Sequence, residues 1–286
     1  MNHKTKSFFF KIVSFLPNKI GFTLYYFFQN SKQSNNFELK LKSAENTFKS
    51  LIALCNQYKI NIKNATVLEI GSGWVPSLPY LFLFKGNAKK VLTYDINNHY
   101  QKNNLKKFNH VFEKTTSIFL NVGKNELPQQ VDYFPKTDVI NCKDTTVSIV
   151  FSRFVLEHVK PEDMLLIHEN FKKNFKKGTY IIHFVSPSDH RAYSDHTLSL
   201  QDFLKYSQKE WNKIQTKFDY HNRLRFSEYV KIFESLDIEI LHQSYDVVDK
   251  KSNQYLLFKA LKLDKHYDSY SEDDLLAGNL VFVLKL

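Results

Sequence analysis

Short apolar runs that each end at a glycine or an acidic residue, separated by stretches of helical spacing, constrain this chain more than any other feature. Residues 65–70 run apolar into Gly71. Residues 90–94 stop at Asp95, residues 147–151 lead into Ser152-Arg153, and residues 179–185 follow the break at Gly178. Runs of this length bounded by turn signals are buried strands. Between them, residues 77–85 are apolar almost all round and read as a buried helix. Residues 97–111 read as helix or loop, and residues 161–175 as a helix with Pro161 at its start. Upstream, Leu39, Leu41, Ala44, Phe48, Leu51 and Leu54 recur at helical spacing over residues 38–59. Strands alternating with helices predict an α/β chain built on a mostly parallel, doubly wound sheet covered on both faces. Residues 201–213 and 226–236 read as helical, and residues 238–247 and 280–286 as two last strands. The second of these is expected to run antiparallel at the sheet edge.

The chain of 286 residues is long enough for one large domain with a cap. The expected division is an N-terminal helical region, 1–60, and an α/β domain, 61–286, carrying an insertion at about 186–225. Residues 8–28 are apolar and aromatic, but Lys11 and Pro17-Asn18-Lys19 interrupt them, and a bilayer-spanning helix needs about 20 continuous apolar residues. No small-residue cleavage site follows, so a signal peptide is not read there. Two short amphipathic helices fit better, packed on the domain or resting on a membrane surface; residues 1–30 are thus a candidate peripheral contact. A polar linker is read at residues 30–36. The formal charge of +11 favours anionic partners. The lysine pairs are scattered and no nucleic-acid motif accompanies them, so a lysine-rich solvated surface is the simpler reading. Two cysteines, without metal spacing or a disulfide framework, fit a reducing, cytoplasmic compartment.

Ligands of open α/β sheets sit at the carboxyl ends of strands. The first end is Glu69-Ile70-Gly71-Ser72-Gly73-Trp74-Val75-Pro76. Two glycines past a strand allow close backbone approach. A dinucleotide site would want a third glycine where Pro76 stands, and proline has no N–H for a pyrophosphate. Glu69 suits a cationic amine instead. Asp95, on the next strand, is placed to accept from ribose hydroxyls. Asp138 could accept from an adenine amino group, or be a surface loop residue. Ser152-Arg153-Phe154-Val155-Leu156-Glu157-His158 carries a strand into a turn bearing Arg, Glu and His, with His158 able to take a proton near neutral pH.

Together these segments resemble the class I S-adenosylmethionine-dependent methyltransferases over roughly residues 60–286. More narrowly they resemble a bacterial group associated with surface-polysaccharide and glycan gene clusters, through residues 68–76, residues 152–159, Asp189-His190 and Asn222-Arg223-Leu224-Arg225. The resemblance implies a Rossmann-like seven-stranded sheet and S-adenosylmethionine as cofactor. It implies that Glu69, Gly71 and Gly73 line the methionine part, that Ser72 and Trp74 also contact the cofactor, that Asp95 holds the ribose and Asp138 faces the adenine, and that Ser152 borders the transfer site. A sugar or glycan hydroxyl is the implied acceptor, with Arg153, Glu157, Arg223 and Arg225 as candidate acceptor contacts. His158, His190 and Asp189 are the candidates for a base. His183, Ser186, Asp189, His190, Asp195 and His196 invite a metal, but their spacing matches no standard motif, and no metal is expected. A non-catalytic module of the same fold, or an enzyme acting on a lipid or macromolecule, remains the alternative.

Overall fold

The computed structural model describes residues 3–17, 20–25 and 36–286. Its centre is a seven-stranded sheet of order β3-β2-β1-β4-β5-β7-β6. The strands are β1 Thr66–Ile70, β2 Lys90–Asp95, β3 Val131–Pro135, β4 Val147–Arg153, β5 Tyr180–Val185, β6 Glu239–Tyr245 and β7 Leu280–Lys285. β1 to β5 pair in parallel, and β7 runs antiparallel between β5 and β6. The expected α/β sheet is therefore present, with one correction: β7 is not the edge strand. Leu280, Phe282, Val283 and Leu284 are all buried, so β7 needs cover on both faces. β6 buries no residue fully and takes the edge.

The helices in chain order are α1 His3–Ser14, α2 Phe37–Gln57, α3 Ser77–Phe84, α4 Lys102–Thr116, α5 Pro161–Asn174, α6 Gln208–Ile214, α7 Phe226–Ser235, α8 Asn253–Lys259 and α9 Glu272–Leu276. α2, α3 and α4 pack on one sheet face around Phe48, Phe82, Phe108 and Phe151. α5 and α7 pack on the other around Phe171, Phe233 and Phe282. Strand alternation sends Val67 and Glu69 of β1 to the first face and Leu68 and Ile70 to the second. This parity decides which side chains can reach a site.

A third, smaller core joins Phe203, Leu204 and Trp211 to Phe258, Tyr267, Leu275 and Leu276. The insertion expected at 186–225 thus shares its core with the segment between β6 and β7. That segment was legible only as a long loop, because α8 and α9 are too short to show a helical period. The N-terminal region packs on the insertion: Phe218 stacks on Tyr25 at 4.9 Å and meets Phe10 and Phe22. Lys11 and Lys217 donate to carbonyls across the same contact. The linker read at 30–36, apart from Asn36, lies outside the described residues, among which no helix is long and apolar enough to cross a membrane.

Candidate functional site

The carboxyl end of β1 turns sharply. Gly71 and Gly73 both take left-handed φ, +81° and +61°. Gly71 has a second constraint, since a Cβ there would meet a Val155 methyl at 2.5 Å; at Gly73 the space is open. Between them the Ser72 N–H and hydroxyl donate to Asp95 Oδ2, at 3.0 and 3.2 Å. Asp95 Oδ1 accepts from Asn97 N at 2.8 Å, and His99 Nε2 lies 3.7 Å away. A carboxylate held by three donors keeps its orientation while its remaining lone pairs stay open to a ligand diol. Tyr100 donates to Ser72 O, and its ring stacks on Tyr133 at 4.2 Å. Tyr133 accepts from His99 N at 2.8 Å. These aromatic supports have no periodic or motif signal in the sequence.

Glu69, 2% exposed, accepts from the Thr93 hydroxyl. Burial pushes its pKa up to about 8, opposed by that hydrogen bond and by Arg153, and reinforced by Asp95. It lines a cleft of about 230 Å³ with Gly71, Ser72, Gly73, Trp74 and Arg153. Helix α2 closes the cleft with Lys40, Ser43 and Ala44. Arg153 donates to Ser43 Oγ at 2.7 Å and stacks on Phe154. Burial lowers the Lys40 amine to about 8. Glu69 at the floor, with Asp95 held behind Ser72, and the two cations Lys40 and Arg153 at the wall suit a ligand with both an ammonium and a carboxylate. The role of α2 in the site was missed, because Lys40 and Ser43 look like ordinary exposed helix positions.

Beyond Arg153 the chain makes a 3-10 turn, Leu156–His158. Asn222 clamps it, donating from its amide to Leu156 O and Val159 O and from its backbone to Glu157 O. Glu157 is fully buried, and burial raises its pKa to about 8. His158 Nδ1 donates to Tyr220 O at 2.7 Å. Crowding lowers its pKa, although the residue is exposed, so the neutral ring is favoured. The rings of His190 and His221 stand 5.0 and 5.7 Å from it.

Several expected site residues do other work. Ser152 faces the opposite side of β4 from the cleft. It is fully buried and donates to His183 Nδ1 at 2.7 Å. His183 Nε2 then donates to His168 Nε2, whose Nδ1 donates to Met164 O. The chain is closed at both ends, and burial pushes His168 down to about 4. Asp189 is buried and gripped by the Arg191 guanidinium at 2.6–3.1 Å, which leaves it unfit as a base. Arg223 and Arg225 do not reach an acceptor either. Arg223 donates to Phe203 O and Tyr206 O, and Arg225, fully buried, to Arg223 O and Pro187 O. They tie distant parts of the insertion to one another through backbone carbonyls. Asp138 is exposed and caps a short turn by accepting from Ile140 N, away from the cleft lining. Arg153 belongs with the Glu69 corner. Both cysteines are buried, and burial raises each thiol.

No protein-family model matches the chain, and no curated protein matches it. Solved structures do. One, from Galdieria sulphuraria and named as a sarcosine dimethylglycine methyltransferase, has a TM-score of 0.50 at 12% identity, over 87% of this chain and 86% of that one. A second is the magnesium protoporphyrin IX methyltransferase from Synechocystis PCC 6803 with bound SAH, with a TM-score of 0.48 at 10% identity, over 86% and 83%. At 12% identity the Galdieria likeness is one of fold.

Proposed function

We propose that this chain is an S-adenosylmethionine-dependent methyltransferase. The observation that carries the proposal is the pair of buried carboxylates, Glu69 and Asp95, on adjacent parallel strands, flanking a turn whose two glycines take left-handed φ. Asp95 suits a ribose diol. Glu69 suits the ammonium of a methionine moiety, whose carboxylate Arg153 and Lys40 complement. Pro76 precedes α3 as its N-cap and has no N–H to offer, so a pyrophosphate of NAD has no ready cradle. The fold shared with the Galdieria protein supports the same reading.

For the acceptor we propose a sugar or glycan hydroxyl, supported by the motif resemblance, with His158 and His190 at the open carboxyl edge as candidates to take its proton. Alignment of acceptor oxygen, methyl and sulfur could lower the barrier by roughly 7–11 kcal/mol. Peripheral membrane contact through residues 1–30 is supported by exposed Ile12, Phe15 and Ile20 beside Lys11; liposome sedimentation of chains with and without those residues tests it, and equal binding would refute it.

Calorimetry tests the central reading. S-adenosylmethionine should bind and NAD should not. Asp95→Asn should weaken binding by about 10–100-fold, the difference between charge-assisted and neutral hydrogen bonds to a diol. Equal affinity of wild type and variant would overturn it. Mass spectrometry of glycan, lipid and protein acceptors then separates the acceptor classes.

A further inference from the structure

The cluster at the end of β4 holds an arrangement that cofactor binding does not use. Glu157, His158 and His190 each offer a ligand atom, and these atoms all lie within 4.8 Å of one another. Glu157 is fully buried, and neither carboxylate oxygen has a hydrogen bond of good geometry; the backbone N–H groups of Glu157 and Ser186 approach it but offset its burial only in part. An isolated carboxylate is costly to bury, and a cation or a proton must relieve it. His158 is already set for ligation: Nδ1–H donates to Tyr220 O, which leaves the Nε2 lone pair for a metal. A carbonyl on the far nitrogen is the usual outer support of a metal-bound imidazole. The turn is also held rigid, by three hydrogen bonds from Asn222.

His221 completes the pocket. Its ring lies 5.3 Å from His190 and 5.7 Å from His158. Nδ1 accepts from Arg223 N at 3.2 Å, so in the neutral ring Nε2 carries the hydrogen; that atom is buried without a hydrogen bond of good geometry, and a weak contact with the Ser186 backbone is its nearest polar neighbour. A donor so placed suits an oxygen bound to a metal better than the metal itself.

We propose that Glu157, His158 and His190 form a site for one divalent transition-metal ion, with open positions for water or an acceptor oxygen. Two imidazoles and one carboxylate favour Zn²⁺, Fe²⁺, Mn²⁺ or Co²⁺ over Mg²⁺, which prefers all-oxygen shells. The proposal departs from the expectation of no metal, and sequence spacing could not have suggested this group for a physical reason. The ligands come from the β4 turn and the loop after β5, and His183, Ser186, Asp189, Asp195 and His196 of the sequence cluster take no part. Val155, whose methyl fills the space beside Gly71, lies two residues from Glu157, so the site borders the cofactor corner. A metal there would replace an unaided His158 or His190 in activating a hydroxyl. That consequence rests on the methyl-transfer reading; the site itself does not.

The test is Co²⁺ titration of the full chain after removal of metals with EDTA, followed by visible absorption and calorimetry, with no cofactor present. One Co²⁺ per chain is expected, with Mg²⁺ failing to displace it. His190→Ala and His158→Ala remove exposed side chains, so both should fold; each should weaken Co²⁺ binding by at least about tenfold, the order seen when metal sites lose supporting groups. His196→Ala, outside the cluster, should leave it unchanged. Glu157→Gln should abolish the Co²⁺ spectrum, and its circular dichroism reports folding independently. Absence of stoichiometric binding, or binding that both histidine variants retain, would overturn the proposal and leave a proton on Glu157 as what relieves its burial.

Discussion

Replacing Glu69 by Gln should stabilise the ligand-free protein at high pH and remove a pH dependence that wild type shows. Glu69 is 2% exposed and its folded-state pKa is pushed up to about 8 from an ordinary 4.5. The folded state therefore holds the proton more tightly than the unfolded chain. Its contribution to stability is fully present below about 4.5 and is lost as pH rises to about 8. With those two values, raising the pH from 6 to 9 removes about 2–3 kcal/mol. Glu69→Gln keeps the size and the acceptor for the Thr93 hydroxyl but has no proton to lose. Urea denaturation at half-unit steps over this range gives the difference between wild type and variant, which cancels every other titrating group. That difference should move by about 2–3 kcal/mol in favour of the variant. Saturating S-adenosylhomocysteine should flatten the wild-type slope, because its ammonium would stand against the ionised carboxylate. Parallel profiles for the two proteins would refute the reasoning, since they would mean that Glu69 is solvated or ionised throughout.

The remaining predictions concern residues whose roles the structure separates. Gly71→Ala should cost about 2–4 kcal/mol by thermal or urea denaturation, from its left-handed φ and the Val155 clash. Gly73→Ala, with open space around it, should cost only the backbone share of that, about 1–2 kcal/mol. Ser152→Ala should leave cofactor affinity within about twofold while lowering stability by about 1–2 kcal/mol, because it strands His183 Nδ1 on the far face of the sheet. Arg225→Met should destabilise by about 2–4 kcal/mol through the orphaned carbonyls of Arg223 and Pro187. A loss below about 0.5 kcal/mol, as for an exposed side chain, would return Arg225 to the candidate acceptor contacts.

Periodicity and punctuation made the sheet legible in the residue order. Apolar runs ending at Gly71, Asp95 and Ser152-Arg153 could only be buried parallel strands, and the carboxylates at the first two ends needed no distant partner to be noticed. Parity along β1 and β4 was present in the residue order but was not drawn on, since Ser152 was expected to border the transfer site. Glu69 and Arg153 line the cleft while Ser152 points away, an alternation that a strand imposes wherever its two faces are buried. Long-range partners were not readable. That Asp189 is consumed by Arg191, that Arg225 reaches Pro187 O, and that His190 approaches Glu157 and His158 depend on how the 186–225 segment folds back over the sheet. The same holds for Lys40 and Ser43 in the cleft and for β7 between β5 and β6. Residue types and spacing carry local geometry, because backbone sterics act over a few residues. Which buried charge meets which partner is settled by packing between elements far apart in the chain, and no local pattern encodes it.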